Sequence, residues 1–155
     1  MSERRLGIIM YGVTGRMGTN QHLERSIATI RAQGGVALRD GSRLIPDPIL
    51  VGRDAEKLHL LGTRYGVTAV TTDLDAALAD ASYPVFFDAS ATAVRFDVVR
   101  RALAAGKQIY CEKPTATNLA DALELYRLAK AGGVRAGGPI FADAWGSDAG
   151  FPGSR

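Results

Sequence analysis

Short apolar runs recur along this chain, and between them apolar residues repeat at helical spacing. Runs without polar alternation read as strands buried on both faces, the pattern of a parallel sheet. They predict strands near residues 6–12, at Pro48-Ile49-Leu50-Val51-Gly52, around 68–71, at Val85-Phe86-Phe87-Asp88-Ala89 and over Gln108–Cys111. Helical patterns fill the intervals. A first helix is expected near 16–33, and a second carries Lys57, Leu58 and Leu61. A third follows Thr72-Asp73-Leu74-Asp75, where a side-chain oxygen suits an N-cap. The fourth sets Val94, Val98 and Ala102, with Val99 and Leu103 beside them, toward the sheet, and Gly106 ends it. The last begins after Asn118 and offers Leu119, Ala122, Leu123, Tyr126 and Ala129 as its core face.

Alternating strands and helices imply an α/β fold, a doubly wound parallel sheet with helices on both faces. One segment breaks the alternation. Residues 36–45 form two short apolar arms around Asp40-Gly41, a hairpin signal, and read as a small insertion before the second sheet strand. The periodicity stops after Lys130. Residues 131–155 contain seven glycines and the breakers Gly137-Gly138-Pro139 and Phe151-Pro152-Gly153, with 138–142 as the one candidate for a short strand. The expected division is a single domain over 1–133 and an irregular glycine-rich tail over 134–155.

Bulk properties narrow the function classes. The 155 residues are enough for one domain with a sizeable core, and 46% hydrophobic with 23% charged residues is ordinary for a globular protein. A net charge of +3 without clustering, and few aromatics, argue against a nucleic-acid or membrane-surface partner. No apolar run is long enough to span a bilayer and no signal-peptide core follows Met1, so a cytoplasmic location is expected. Cys111 is the single cysteine, which excludes an internal disulfide. With His22 and His59 as the two histidines, no zinc cluster is expected. Cys111 reads as a buried strand-end residue rather than a nucleophile.

The candidate chemistry lies where strands end, which is where open α/β sheets bind ligands. After the first strand comes Gly12-Val13-Thr14-Gly15-Arg16-Met17-Gly18, a strand, glycine turn and helix in succession. Glycines allow a sharp turn and close approach to a pyrophosphate, the helix start supplies N–H donors, and Arg16 adds a charge. The spacing is Gly-x-x-Gly-x-x-Gly, one residue longer than the common fingerprint. After the second strand, Arg53 suits a ribose 2′-phosphate whereas Asp54 suits a free 2′-hydroxyl, so NADP is slightly favoured and NAD stays open. Ser90-Ala91-Thr92 places small residues where a nicotinamide ribose could approach. Asp88 is either part of that approach or a structural hydrogen-bond acceptor. The run Ala105-Gly106-Lys107-Gln108-Ile109-Tyr110-Cys111-Glu112-Lys113-Pro114 ends its strand in Glu-Lys-Pro. There Lys113 would be a cation at the lip of a crevice, Glu112 would offset that charge and fix the ammonium, and Pro114, if cis, would set the exit path. The plainer reading of the tripeptide is a solvated strand end.

Taken together these residues resemble the amino-terminal Rossmann domain of the Gfo/Idh/MocA oxidoreductases, from about Leu6 to Gly133. The resemblance implies binding of NAD or NADP, with Gly12, Gly15 and Gly18 on the pyrophosphate, Arg53 by the adenosine ribose, and Ser90 to Thr92 along the cofactor. It implies that Glu112 and Lys113 lie beside the nicotinamide, Lys113 assisting hydride transfer by contact to a hydroxyl of a sugar or cyclitol-like substrate. Family members carry a separate carboxyl-terminal substrate domain, and the expectation is that this chain is without it. The expectation is therefore a truncated or degenerate member, with the tail over 134–155 either out of frame or itself truncated. Such a chain is expected to bind a nicotinamide dinucleotide, to act on a polyhydroxylated substrate only if that domain is supplied, and to self-associate through exposed apolar surface. Gly-Val-Thr-Gly-Arg-Met-Gly also resembles dihydrodipicolinate reductase, whose His-His and Lys-rich motif is missing. A non-catalytic nucleotide-binding module is the alternative from another class.

Overall fold

The computed structural model describes residues 2–134 and the backbone of 136–137. Strands β1 (Glu3–Tyr11), β2 (Val36–Ala37), β3 (Arg43–Val51), β4 (Val70–Thr71), β5 (Val85–Asp88), β6 (Gln108–Cys111) and β7 (Ala136–Gly137) form one sheet. Its order is β2-β3-β1-β5-β6-β7, with β4 also on β3, and every pairing is parallel except β2 with β3. Set β2 aside and the order is that of two mononucleotide-binding halves meeting between β1 and β5.

Side-chain alternation along the strands feeds two separate cores. Ile8, Met10, Leu50 and Phe87 pack on one face with Leu23 and Leu58, from α1 (Gly18–Ala28, continued by a turn over Thr29–Ala32) and α2 (Ala55–Tyr65). Ile9, Val51, Phe86 and Ile109 pack on the other, against α3 (Leu74–Ala79), α4 (Thr92–Ala104) and α5 (Leu119–Ala131). Both faces of the central strands are thus covered, which is why their sequences read as continuous apolar runs.

Several details depart from the sequence pattern, each for a visible reason. The hairpin around Asp40-Gly41 forms, with Val36 opposite Leu44, but its second arm is not a separate insertion. It runs on as β3 through Pro46 and Pro48. Leu50 donates its N–H to Ala69, so by alternation the nitrogens of Pro46 and Pro48 face the same edge, in the stretch between the residues paired with β2 and those paired with β4. The donors that proline lacks are not needed there. Because β3 starts at Arg43, β1 finds a partner from Glu3 onward, although its first three residues are exposed and carry no apolar signal.

Helix α1 is wound in the wider π form, and Ser26 and Thr29 donate their hydroxyls to carbonyls five residues back, Gln21 and Glu24. Helix α5 buries Leu125 and Ala129, whereas Leu119 is 73% and Leu123 41% exposed. Of the expected face Ala129 is buried and Ala122 and Tyr126 are half-buried, while Leu125 replaces Leu119 and Leu123 in the stripe. In α4, Val94 is exposed and Arg95 occupies the buried position. Beyond α5, Val134 is in the core and β7 pairs with β6 at Ile109 and Tyr110. The candidate strand over 138–142 and the rest of the glycine-rich tail lie outside the described residues. Among the described residues no helix is long and apolar enough to cross a membrane.

Candidate functional site

All four sequence-predicted loops emerge at the carboxyl ends of neighbouring strands. The glycine turn follows β1, Arg53-Asp54 follows β3, Ser90-Ala91-Thr92 follows β5, and Glu112-Lys113 follows β6. Backbone bonds stitch three of them together: Ala89 donates to Tyr11 (2.9 Å) and Glu112 to Asp88 (2.9 Å).

At the β1 turn, Gly12 has φ +79° and its backbone lies against the next loop, so that a Cβ there would stand 2.4 Å from the Ser90 nitrogen. A Cβ on Gly18 would stand 2.5 Å from the Gly12 carbonyl, because the start of α1 packs directly onto the turn. The fold requires both glycines. Gly15 differs. Its φ is not positive, and a Cβ would meet only the Gly12 oxygen, at 3.4 Å. Protein packing does not demand a glycine at this exposed position. Val13 is fully buried, leaving Thr14, Arg16 and Met17 as the exposed side chains of the turn.

Helix caps divide in the same way. Asp54, Asp73 and Asn118 accept a backbone N–H at the starts of α2, α3 and α5. The starts of α1 and α4, which flank the junction of β1 and β5, have no side-chain cap. Backbone carbonyls take part of each first turn, Thr19 N–H bonding Gly15 (2.8 Å) and Val94 N–H bonding Ala91 (3.0 Å), and no side chain of the cap residue does. Beside them Ser90 Oγ is buried without a hydrogen-bond partner, the one such side-chain atom among the described residues. Helix starts left open by side chains, an orphaned hydroxyl and a glycine free of packing demands suit a phosphate-bearing ligand at this junction. The residues therefore fit a dinucleotide.

On the β3 side, a crevice of about 410 Å³ is lined by Tyr11, Gly52, Arg53, Thr72, Asp73, Asp75 and Arg101, with Leu74. Arg53 is exposed on it and makes no ion pair among the described residues. Arg101, by contrast, is bound to Asp75 at 2.5 Å, which raises its pKa. Asp54 is taken up by its own helix: it caps Lys57 N–H and pairs with the Lys57 ammonium at 3.2 Å, and these bonds lower its pKa. Sequence reasoning read Thr72 to Asp75 only as a helix start and passed over Tyr11 and Arg101. The usable signal was position, since Thr72 follows the carboxyl end of β4.

The Glu-Lys-Pro end of β6 is arranged differently from expectation. Lys113–Pro114 is a cis peptide. Glu112 does not hold the Lys113 ammonium. Its carboxylate meets His22 Nε2 from α1 at 2.5 Å and accepts the Lys113 backbone N–H at 3.3 Å. The His22 ring lies on Phe87, with centroids 4.6 Å apart, so β5 orients the histidine that takes up the glutamate. The Lys113 side chain is exposed with no ion-pair partner among the described residues. Other members of the run are structural. Lys107 is buried and donates to the Asp80 carbonyl (2.7 Å), and burial lowers its pKa. Cys111 is buried, as expected, and burial pushes its thiol up to about 11. Asp88 is fully buried and accepts from both Ser90 N–H (3.0 Å) and Arg95 Nε (2.6 Å), which settles its role as a structural acceptor.

Fold and loops define a doubly wound α/β domain of the nucleotide-binding class. The chain belongs to the GFO_IDH_MocA oxidoreductase family, whose NAD-binding Rossmann fold model matches residues 6–137. It is 46% identical over 130 residues to a D-xylose dehydrogenase of Paenarthrobacter nicotinovorans, covering 84% of this chain and 34% of that protein. Among solved structures it resembles an oxidoreductase domain protein from Kribbella flavida (29% identity, TM-score 0.71, 89% of this chain and 35% of that one). It shares its fold with a levoglucosan dehydrogenase complexed with NADH and levoglucosan (20% identity, TM-score 0.70, 84% and 34%). The same holds for a 3-ketoreductase from Actinomadura kijaniata bound to NADP and TDP-benzene (16% identity, TM-score 0.68, 89% and 37%). The chain spans about a third of the length of the relatives it matches.

Proposed function

We propose that this chain is the dinucleotide-binding part of a sugar dehydrogenase and prefers NADP to NAD. The observation that carries the reading is the set of features where β1 and β5 adjoin: two helix starts without side-chain caps, the orphaned Ser90 hydroxyl and a Gly15 that packing does not need. Gly12 to Gly18 would hold the pyrophosphate, with the Arg16 charge beside it, and Ser90, Ala91 and Thr92 would border the nicotinamide ribose. Arg53, a cation of the 410 Å³ crevice without an ion pair among the described residues, would meet the 2′-phosphate. Asp54 is engaged at its helix cap, which supports the NADP preference. The nicotinamide supplies hydride transfer at its C4 when bound.

Lys113 would donate a hydrogen bond from its free ammonium to the hydroxyl on the reacting carbon of a polyhydroxylated substrate. Glu112, held by His22, would keep the strand end in place. Similarity to a D-xylose dehydrogenase supports a sugar as substrate, with a substrate domain enclosing it. Titration with NADPH and, separately, NADH, followed by nicotinamide fluorescence, tests the reading. Saturable binding that favours NADPH is expected. Arg53→Ala should weaken NADPH about tenfold or more, the worth of one charge-assisted hydrogen bond, and leave NADH unchanged. Absence of binding by the folded chain would refute dinucleotide binding, and equal affinities unaffected by Arg53→Ala would refute the 2′-phosphate contact.

A further inference from the structure

Arg95 is the residue that the helical pattern of α4 least predicts. It stands in the buried stripe with Val98, Val99 and Ala102, and is 2% exposed. Its guanidinium makes three directed bonds. Nε donates to Asp88 Oδ2 at 2.6 Å, Nη2 to the Ser90 carbonyl at 2.7 Å, and Nη1 to the Pro114 carbonyl. Asp88, fully buried, uses its other oxygen to accept the Ser90 N–H at 3.0 Å. The Ser90 peptide groups are thus held on both sides, and the residue following Lys113 is anchored to the same guanidinium.

A buried ion pair loses hydration that its mutual attraction often does not recover, and well-packed aliphatic groups would commonly serve stability as well. What an aliphatic residue cannot supply is a planar fork reaching three fixed acceptors. Those acceptors lie at the end of β5, in the loop after it and in the loop after β6, in the half of the sheet where a second mononucleotide would sit. The crevice at Arg53 lies in the other half, on the β3 side.

We infer that Arg95 is a positioning residue for the nicotinamide end: it sets the separation between Ser90 and Lys113-Pro114, and so governs affinity for the nicotinamide half of the dinucleotide and not for its adenosine half. The inference rests on the dinucleotide-binding reading above.

The test compares two probes on the full chain, NADPH and 2′-phospho-ADP, which lacks both the nicotinamide and its ribose. Two variants are used, with folding followed by circular dichroism. Arg95→Lys keeps the charge but not the fork. Asp88→Asn combined with Arg95→Gln removes both charges together, so neither is left buried alone. In either folded variant the NADPH Kd should rise tenfold or more while the 2′-phospho-ADP Kd stays within twofold. A general loosening of the structure would weaken both probes alike, and that result overturns the inference. So does unchanged NADPH binding. Failure of both variants to fold would make the pair a requirement of the fold itself and also overturn it. Failure of the unmodified chain to bind either probe would instead refute the dinucleotide reading.

Discussion

Replacing Gly15 and Gly18 separately by alanine distinguishes a glycine kept for the protein from one kept for a ligand. A Cβ at Gly18 would lie 2.5 Å from the Gly12 carbonyl and 2.8 Å from Val13 Cα, both backbone atoms that cannot swing aside. Relieving the overlap requires α1 to move off the turn, a cost of about 1–3 kcal/mol on the scale of overpacked cores. For a domain of this size that lowers the melting temperature by roughly 2–12 °C. At Gly15 the nearest atom is 3.4 Å away, ordinary contact, and φ is not positive. Alanine there should leave stability unchanged or raise it by about 0.4–1 kcal/mol through the unfolded chain. The methyl group would, however, occupy the surface onto which a pyrophosphate must close. NADPH affinity should therefore fall at least tenfold, about 1.4 kcal/mol. Thermal unfolding by circular dichroism and fluorescence titration give the two readouts. If Gly15→Ala bound NADPH as the unmodified chain does, no ligand would approach that glycine and the placement of the phosphate would be wrong. If it unfolded as readily as Gly18→Ala, the packing distinction itself would be wrong.

Other expectations follow from the same geometry. His22→Gln keeps a donor near Glu112 Oε1 and should leave stability within about 0.5 kcal/mol, whereas His22→Leu removes it and should cost about 1–2 kcal/mol by urea unfolding; equal effects would deny the bond a role. The Cys111 thiol titrates at about 11 in the folded chain against an ordinary value of 9.0. Its neutral form is the one that burial favours, so its contribution to stability is intact below pH 9 and declines as pH rises from 9 to about 11. Cys111→Ala should flatten the loss of stability over that window, and at pH 8 a thiol reagent should label the native chain only as fast as it opens. Fast labelling of the folded chain would contradict the burial. Asp75→Asn removes the charge of one of the two carboxylates paired with Arg101, Asp97 staying at 3.6 Å, and with Asp75 79% exposed the change in unfolding free energy should be below about 1 kcal/mol.

The order of elements was legible in the sequence because burial on both faces of a parallel sheet writes itself as apolar runs, and because Gly12, Gly15 and Gly18 sit at one defined strand-to-helix turn. From these residues and from Glu112-Lys113-Pro114 the family could be named, and all four loops at the strand ends were located. Local pattern failed where a distant partner decides. Arg95 looks like any helical arginine until Asp88, Ser90 and Pro114 are brought within reach of its guanidinium. His22 gave no sign that it would take the carboxylate of Glu112, 90 positions away, and so leave Lys113 without an ion-pair partner among the described residues. The hairpin arm became part of β3 because β1 lay beside it, and α5 turned Leu125 rather than Leu119 inward because α4 and the sheet fixed its rotation. The sequence by itself determined which segments are strands and helices and which loops carry chemistry, since those follow from local periodicity and backbone freedom. The tertiary structure alone decided which polar groups satisfy one another and which remain unmet for a ligand, because hydrogen bonds and desolvation depend on neighbours in space.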